Sequence, residues 1–390
     1  MQIGAMPSFQ SGMELYTNIL YVSHYSHYRM GGQKSMLALI ENLDRKNFRP
    51  FLVCPEPGEL SKKMEQLDCP VFYVPLRSLK VKNISTLVKN YFRIKRIIKE
   101  NNIDIVHPDH ERDAFLCGLA KKRTSAKMVW HVRLTRNNNL DKTNEKFADG
   151  IIGISDATAV RFSQNVINSG KFRVIYNGVD CSVFKPVENN EDLRKDMGIP
   201  ADRFVIIFVG QITKGKGIFD LLNAMKKVKE NYKQKMPAML YYIGTPTLAE
   251  ELVKLKNEIT EAGLVDHIKI VPQQNKIYRW MQASDVLVLP SHEGTEGMGR
   301  VLFEAMACGA ATIGTDISGI REAISEDSGF LVPDGSPDDM AEKLMQLIED
   351  DDLLRKMKKN GRKRALQFFD IKKHAENVER FYFDIMKERL

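Results

Sequence analysis

Cysteine is scarce in this 390-residue chain, and its five cysteines are widely spaced: Cys54, Cys69, Cys117, Cys181 and Cys308. This usage provides neither a disulfide framework nor zinc-ligand spacing, so we expect buried, reduced thiols. The sequence has no apolar run of membrane-spanning length, no basic and apolar signal peptide in its first twelve residues, and no aspartate-rich metal motif. With 43% hydrophobic and 28% charged residues, the composition is that of a globular protein, and the length favours two domains.

Positive charge is concentrated in the first half of the chain. Residues 1–186 hold 28 lysines and arginines against 17 acidic residues, whereas residues 187–390 hold 30 against 33. The asymmetry predicts an anionic partner for the first half, such as a membrane surface, a phosphorylated acceptor or nucleic acid, with a merely solvated basic surface as the alternative. The amphipathic segment Ile84–Lys99 is predicted to be a basic helix, which could lie on an anionic membrane or simply pack on its own sheet.

Short apolar segments alternate with helical patterns along the whole chain. The predicted strands are Asn18–Ser23, Pro50–Cys54, Val71–Val74, Ile103–His107, Ala126–His131, Gly150–Ile154, Phe172–Ile175, Phe204–Val209, Met239–Ile243, Ile268–Val271, Asp285–Pro290, Ala311–Gly314 and Gly329–Val332. Strands that alternate with helices indicate parallel sheets. We therefore predict an α/β fold with two Rossmann-like domains, residues 1–186 and 187–368, whose parallel sheets face each other across a cleft. A final helix, within 369–390, is expected to pack back on the first domain.

The stretch Asp285–Gly309 is predicted to be a buried strand, a glycine-bearing turn and a helix. Ligands of parallel sheets lie beyond the carboxyl ends of the strands, where this turn is placed. Gly297 and Gly299 allow close approach of the backbone, and free N–H groups at the helix start favour a phosphate. Glu304, one turn further on, would repel a phosphate and is predicted to bind ribose hydroxyls beside it, while Glu296 binds a second polyol. Phosphate, ribose and sugar together indicate a nucleotide sugar.

Two other glycine-rich turns follow predicted strands. Gly31–Gly32 precedes the predicted helix Ser35–Leu43, and Gly210–Gly217 carries lysines that could neutralise a diphosphate, although each pattern is also typical of an ordinary turn. His131 ends a predicted strand, where a histidine can contact a ligand, although a structural role is the commoner outcome. A proline separates His107 from His110, and no metal site is predicted there.

Five sequence elements stand in a fixed order ahead of the acidic stretch. They are GG at residues 31–32, IDIVHPDH at 103–110, SDATAV at 155–160, VIYNGVDCSVFKP at 174–186 and VGQITKGKG at 209–217. The acidic stretch itself, EGMGRVLFEAMACG, places seven residues between Glu296 and Glu304. From about Asn18 to its end, the chain resembles the retaining glycosyltransferases of the GT-B fold that form glycosyltransferase family 4.

The resemblance implies a role for each matching position. Glu304 is expected to bind the ribose of the donor, and Glu296 the hydroxyls of the transferred sugar. Lys216 is expected to bind the diphosphate, and His131 to lie near the primary hydroxyl of the sugar, so that Glu296 and His131 form the predicted catalytic pair. The predicted donor-binding residues are Gly31, Gly32, Gln211, Lys216, Glu296, Gly297, Met298, Gly299, Arg300, Val301 and Glu304.

One position departs from the family pattern. The family usually carries arginine in a Gly-Arg-Leu sequence after the first strand of the second domain, and this chain has Gln211. A neutral amide lacks the bidentate, charge-assisted contact that arginine makes with phosphate. Lys214 or Arg300 is expected to compensate.

The resemblance implies that a sugar moves, with retention of configuration, from a nucleotide-diphosphate sugar to a hydroxyl of a glycan or lipid-linked acceptor, as in bacterial cell-surface polysaccharide synthesis. We expect a UDP-linked donor. No metal or other cofactor is expected, because cationic side chains can stabilise a leaving diphosphate. Acceptor specificity is expected from the loops His24–Arg29 and Arg133–Lys142.

Two other interpretations remain open. One is a nucleotide-sugar 2-epimerase of similar fold, and the other is a non-catalytic basic protein that binds membranes or nucleic acid. For the transferase, we expect a cytoplasmic protein whose basic N-terminal domain makes peripheral contact with the inner face of the membrane, and no nucleic-acid partner.

Overall fold

The computed structural model describes residues 16–28, 31–76 and 84–387. Arg29 of the predicted acceptor loop, the first residues of the chain and residues 388–390 lie outside these ranges. Thirteen strands occur within them: β1 Thr17–Val22, β2 Phe48–Cys54, β3 Val71–Tyr73, β4 Ile105–Pro108, β5 Lys127–Val132, β6 Gly150–Gly153, β7 Phe172–Val174, β8 Phe204–Val209, β9 Ala238–Ile243, β10 Ile268–Val271, β11 Val286–Leu289, β12 Ala311–Thr315 and β13 Phe330–Val332. Each predicted strand overlaps one of them.

Helices connect successive strands. In the described part of the chain they are α1 Gly31–Glu41, α2 Glu59–Glu65, α3 Ile84–Glu100, α4 Glu111–Ala120, α5 Asp141–Phe147, α6 Gln164–Asn168, α7 Asn190–Asp196, α8 Ile218–Tyr232, α9 Ala249–Glu261, α10 Ile277–Ala283, α11 Arg300–Cys308, α12 Ile320–Ala323, α13 Pro337–Glu349, α14 Asp351–Phe368 and α15 Ile371–Lys387. Short 3₁₀ turns occur at Asp156–Arg161, Lys214–Lys216 and Lys233–Lys235.

The strands form two wholly parallel sheets. The first has the order β3-β2-β1-β4-β5-β6-β7 and the second the order β10-β9-β8-β11-β12-β13. In each sheet the order reverses beside its first strand, between β1 and β4 and between β8 and β11. Connections leave in opposite directions at such a point, which opens a crevice at the carboxyl ends of the strands. The predicted α/β fold of two Rossmann-like domains is thus confirmed, and its topology places the turns after β1, β4, β8 and β11 at the crevices.

The strands are buried because helices cover both faces of each sheet. Strand β8 shows this, since Val205, Ile206, Ile207 and Phe208 are all fully buried. Such continuous apolar runs are typical of central parallel strands.

Helix α15 packs on the first domain. Its residues Val378, Phe381 and Tyr382 belong to the core that contains Ile19 of β1 and Leu37 of α1. The chain reaches this helix through a bridge between Val179 and Asp370. The domain boundaries at residues 186 and 368 stay predictions. The apolar face of α15 packs against the first domain, which explains the hydrophobic stripe of this helix.

Two local predictions were wrong: the start of the first helix at Ser35 and a capping side chain at Ser155. Helix α1 begins at Gly31 rather than Ser35, because tertiary burial of its apolar face outweighs the low helix propensity of glycine. Ser155 makes no capping bond; the N–H groups of Asp156 and Ala157 bind the Glu322 carboxylate of the second domain instead. The predicted loop Arg133–Lys142 is observed except for its last two residues, which lie in α5.

Candidate active site

The two domains meet closely at the turn before α11. A Cβ atom on Gly297 would lie 2.2 Å from the carbonyl oxygen of Arg133 and 3.0 Å from Ile154 Cδ1, both in the first domain. A separation near 2 Å is far inside van der Waals contact, so only glycine permits this approach. The predicted close approach at Gly297 is therefore made by protein backbone across the cleft.

The lysine-bearing turn after β8 lies against the turn between β11 and α11, which carries Glu296 and is called the acidic turn below. Gly217 has φ +69°, and a Cβ there would lie 1.8 Å from the Pro290 carbonyl oxygen at the end of β11. Glycine therefore allows the two turns to pack together. Lys216 Nζ donates to Glu296 Oε1 at 2.6 Å and to the Thr295 carbonyl at 2.7 Å. The structure thus brings together the cation predicted for the diphosphate and the carboxylate predicted for the sugar.

A second cation–carboxylate pair lies at the start of α11. Gly299, with φ +63°, precedes the helix, and Arg300 Nε lies 2.7 Å from Glu304 Oε1. Glu304 is buried, with 7% of its surface exposed. The Nη1 of Arg300 also donates to Ser35 Oγ of α1 at 3.3 Å, across the cleft. Arg300 therefore joins the second domain to the helix that begins at Gly31.

The remaining predicted donor residues differ in exposure. Met298 is buried, Val301 is half-buried and Gln211 is exposed, as is Lys214. Gly31 and Gly32 form the first turn of α1, and a Cβ on Gly32 would lie 3.3 Å from Arg133 Cδ. In contrast, nothing lies within 4 Å of a Cβ on Gly31. The N-terminus of α1 thus lies beside the acidic turn, where its free N–H groups favour an anion.

His131 is 1% exposed and lies near the carboxyl end of β5. Its Nδ1 is 3.1 Å from His107 Nε2, and its Nε2 is buried without a hydrogen-bond partner in the described residues. Burial lowers the pKa of His131 well below its usual value, with a smaller effect in the same direction from Arg133 and the neighbouring histidines. The side chain is therefore neutral at physiological pH and can donate or accept, but carries no charge.

Arg133 is a central residue of the site, although the sequence predicts it only as part of the acceptor loop Arg133–Lys142. Its guanidinium lies 3.5 Å from Asp109 and donates to Asn177 Oδ1 at 3.3 Å. Burial lowers its pKa, which Asp109 partly opposes. Its position in the sequence could have indicated a role in the site, because Arg133 directly follows β5, the strand that carries His131, and ligands of parallel sheets lie beyond the carboxyl ends of the strands. A buried cation at this point adds positive potential to the cleft.

His24, His110 and Asp113 form a titratable cluster beside Asp109. Their possible ligand atoms lie within 4.8 Å of one another, and the hydrogen bond to Asp113 raises the pKa of His24. However, the two imidazole rings are stacked at 4.4 Å with planes 16° apart. Nitrogen lone pairs lie in the ring plane, so stacked rings do not point at one shared ion. The absence of a metal in the mechanism stays a prediction.

Within the described residues, no helix combines the length and apolarity that crossing a bilayer requires.

Paired parallel sheets of this order, with glycine-rich and acidic turns meeting between them, define the class of GT-B glycosyltransferases. A profile described as "Glycosyltransferase Family 4" matches residues 30–183, and one described as "Glycosyl transferases group 1" matches residues 189–364. The chain belongs to this family of glycosyltransferases, and its activity is that of a hexosyltransferase. The resemblance drawn from the motifs is confirmed.

Relatives and solved structures agree with this assignment. UDP-Gal:alpha-D-GlcNAc-diphosphoundecaprenol alpha-1,3-galactosyltransferase of Escherichia coli is 26% identical over 91% of this chain and 94% of its own length. The capsular polysaccharide biosynthesis glycosyltransferase CapM of Staphylococcus aureus is 31% identical over 62% of this chain and 63% of its own. The structure of Anabaena Alr3699/HepE in complex with UDP has a TM-score of 0.80 at 20% identity and covers 94% of this chain and 100% of that one. A Rickettsia africae glycosyltransferase has a TM-score of 0.82 at 22% identity, covering 96% and 99%.

Proposed function

We propose that the protein transfers a sugar, with retention of configuration, from a UDP-linked donor to a hydroxyl of a glycan or lipid-linked acceptor in cell-surface polysaccharide synthesis. The observation that carries the proposal is the paired arrangement of Lys216 with Glu296 and of Arg300 with Glu304 around one glycine turn. In each pair the cation is suited to bind a diphosphate and the carboxylate is suited to bind hydroxyl groups. Two relatives support the finer features of the proposal, since one is named for UDP-Gal and a diphosphoundecaprenol-linked acceptor and the other for capsular polysaccharide biosynthesis.

In this mechanism the anomeric C–O bond breaks and the nucleoside diphosphate leaves. Lys216, the N–H groups at the start of α1 and the N–H groups near Gly299 stabilise its developing charge, while Lys214 or Arg300 adds a second cation. The acceptor oxygen attacks from the same face, and its proton passes to the leaving phosphate. Glu304 holds the ribose, and Glu296 and His131 hold the transferred sugar.

Because side-chain cations supply this charge, we propose transfer without a metal ion. Turnover is expected to persist in a strong chelator. Loss of turnover in the chelator and its recovery with added Mg²⁺ would contradict this part of the mechanism.

A panel of UDP- and GDP-sugars tests the donor assignment by thermal shift and nucleotide release. At 100 times its Kd, a donor is expected to stabilise the protein by about 2.7 kcal/mol, a shift of several degrees. UDP compounds should produce this shift and GDP compounds should not. Conversion of the donor to an isomeric sugar without acceptor would instead favour the 2-epimerase. Equal shifts with both nucleotides would contradict the UDP assignment.

We also propose that α3 docks the protein on an anionic membrane. Its Asn90, Ile94, Ile97 and Ile98 are buried on the first domain, so core packing uses only one face. A second apolar row remains in solvent, because Ile84, Val88 and Phe92, four residues apart, are 62%, 51% and 62% exposed. Exposed basic residues flank this row: Lys89, Arg93, Arg96 and Lys99. Apolar side chains within a basic surface are typical of interfacial helices.

Sedimentation with vesicles tests the membrane contact. The protein is expected to bind vesicles with anionic headgroups and to lose most of that binding in high salt, because each basic residue contributes about 1 kcal/mol near such a surface. Phe92→Ser should weaken binding. Val253→Ser is the matched control, since Val253 is 56% exposed on α9 of the other domain. Equal effects of the two substitutions would show that α3 is not the docking surface.

A further inference from the structure

A row of hydrogen bonds connects His131 to the last helix of the protein. The hydroxyl of Tyr382 in α15 lies 2.6 Å from His107 Nδ1, and His107 Nε2 lies 3.1 Å from His131 Nδ1. At the other end, the Tyr382 oxygen lies 3.1 Å from the Tyr21 hydroxyl of β1. No member of this row, which we call the Tyr21–His131 chain, is more than 1% exposed.

All members of the Tyr21–His131 chain are neutral. Burial lowers the pKa of His107 and His131 and raises the pKa of Tyr21 and Tyr382. Each neutral imidazole has one N–H donor and one nitrogen that accepts, and each phenol has one O–H donor. The hydrogen bonds can therefore all run from Tyr21 towards His131 or all run the opposite way, and each direction fixes a different tautomer of His131.

The Tyr21 hydroxyl lies at the end of the row opposite His131. Within the described residues its hydrogen-bond partner is Tyr382, and Tyr21 is fully buried. Either direction leaves one buried donor without a protein acceptor, the Tyr21 O–H or the His131 Nε2–H, so this cost does not separate them. The bond between Tyr382 and His107 does, because a phenol O–H is more acidic than an imidazole N–H and an imidazole nitrogen accepts more strongly than a phenol oxygen. Tyr382 therefore donates to His107 Nδ1, the Tyr21 proton goes to Tyr382, and the His107 Nε2 proton goes to His131 Nδ1. Every donor but the last is then satisfied.

We propose that Tyr382 is a positioning residue that fixes His131 in the tautomer protonated at Nε2. The free Nε2–H is then a donor at the carboxyl end of β5 and binds an oxygen of the transferred sugar, a role that rests on the proposed function. The buried Nε2 of His131 has no hydrogen-bond partner in the described residues, as a donor reserved for substrate requires. A helix distant in sequence thus orients the hydrogen bonding of the sugar site.

His374, also in α15, provides an internal comparison. Its Nδ1 lies 2.6 Å from the Tyr176 carbonyl oxygen, which can only accept, so His374 carries its proton on Nδ1. The rings of His131 and His374 are 6.3 Å apart. We therefore expect His374 to be protonated at Nδ1 and His131 at Nε2. Of these two tautomers, only the one of His131 depends on Tyr382.

Nitrogen-15 NMR of the ligand-free protein, labelled at histidine, tests the proposal directly. The His131 signals, assigned with His131→Gln, are expected to show a protonated Nε2 and an unprotonated Nδ1. Tyr382→Phe should average the two nitrogen signals, because the bias on His107 is lost. Tyr21→Phe is the matched control: it removes the other hydroxyl of the same hydrogen bond but leaves Tyr382 donating to His107, so the His131 tautomer should persist. His374 should be unchanged in both variants.

Steady-state kinetics gives a second readout. Tyr382→Phe is expected to lower kcat by at least about twofold, the loss when two tautomers become equally populated, whereas Tyr21→Phe should retain it. A protonated Nδ1 on His131 in the wild-type protein would overturn the proposal even if no variant folds. Equal tautomers in wild type and Tyr382→Phe would also overturn it. If the tautomers behave as expected but no sugar is transferred, the proposed function fails and the assignment of Tyr382 stands.

Discussion

Lys216 Nζ and Glu296 Oε1 are 2.6 Å apart, so the side chain expected to bind the diphosphate and the side chain expected to bind the sugar bind each other. Ser291 Oγ donates to the same carboxylate oxygen at 3.1 Å. The pair holds both side chains in place. A bound donor is expected to take over part of the contact, with its phosphate accepting from Lys216 and its hydroxyls donating to Glu296.

Lys216→Ala is expected to raise the donor Kd at least about tenfold, because a charge-assisted hydrogen bond to phosphate is lost. Calorimetric titration with UDP measures the change. Lys227→Ala is the control, since Lys227 is a half-buried lysine on α8 of the same domain that pairs with Asp338. Equal affinities of Lys216→Ala and the wild type would remove Lys216 from the donor site.

Glu304→Gln tests the ribose assignment. A carboxylate hydrogen bond to a ribose hydroxyl contributes about 1.5–3 kcal/mol, so UDP binding should weaken about 10- to 100-fold. The wild-type protein should bind UDP more tightly than 2′-deoxy-UDP, and the variant should discriminate much less. Undiminished discrimination in Glu304→Gln would show that Glu304 acts elsewhere, for example only in holding Arg300.

Because Gln211 replaces the arginine usual in the family, we expect Gln211→Arg to compensate for the loss of another cation at the donor site. Lys214 is exposed on the same turn, and Lys214→Ala should raise the donor KM about tenfold if it replaces the family arginine. Adding Gln211→Arg in that background should then restore the KM. Arg300→Ala is the parallel variant for the other candidate. An unchanged KM in both single variants would mean that neither residue compensates.

Gly297→Ala is expected to separate donor binding from turnover. The added methyl would collide with the Arg133 carbonyl across the cleft and hold the domains about 1 Å too far apart, which can cost about 100-fold in kcat. UDP binding within the second domain should change little. Gly31→Ala adds a methyl where nothing lies within 4 Å and should leave the Tm unchanged. A Gly297→Ala enzyme with wild-type kcat would show that this contact is not needed for transfer.

Acid is expected to destabilise the protein through its buried histidines. Burial, opposed by the hydrogen bond to the Tyr176 carbonyl and assisted by the charges of Arg133 and Arg300, lowers the pKa of His374 from 6.5 to about 4. Between these values the unfolded chain binds more protons than the folded one, so stability falls as pH drops below about 6.5. At pH 5 the loss from His374 is about 2 kcal/mol. Urea unfolding at pH 7.5 and pH 5 measures it, and His374→Asn should show a smaller difference. Identical differences would assign the acid sensitivity to other groups.

Much of the fold was predictable because the strands of a parallel sheet are short apolar runs, and turns and helices follow them regularly. The predicted end of β11 and start of α11 agree with the structure to within one residue, and Glu304 occupies the buried side of that helix. The sequence places the start of α1 at Ser35 instead of Gly31 and predicts no helix at α5, because glycine has weak helix propensity and Asp141–Phe147 is mostly polar. Tertiary contacts decide such cases.

The sequence by itself determined the alternation of strands and helices that makes two parallel sheets, the glycine-rich segments that follow three of the strands, and the spacing of Glu296 and Glu304, since each follows from residues close together along the chain. Only the tertiary structure decided which charges pair. Lys216 reaches Glu296 across 80 positions, and Tyr382 reaches His107 across 275. Local periodicity carries no information about such distances, because the packing of separate elements sets them. The acidic turn was therefore recognisable from its residues, but the cations and the neutral histidine that complete it became visible only when the two domains were brought together.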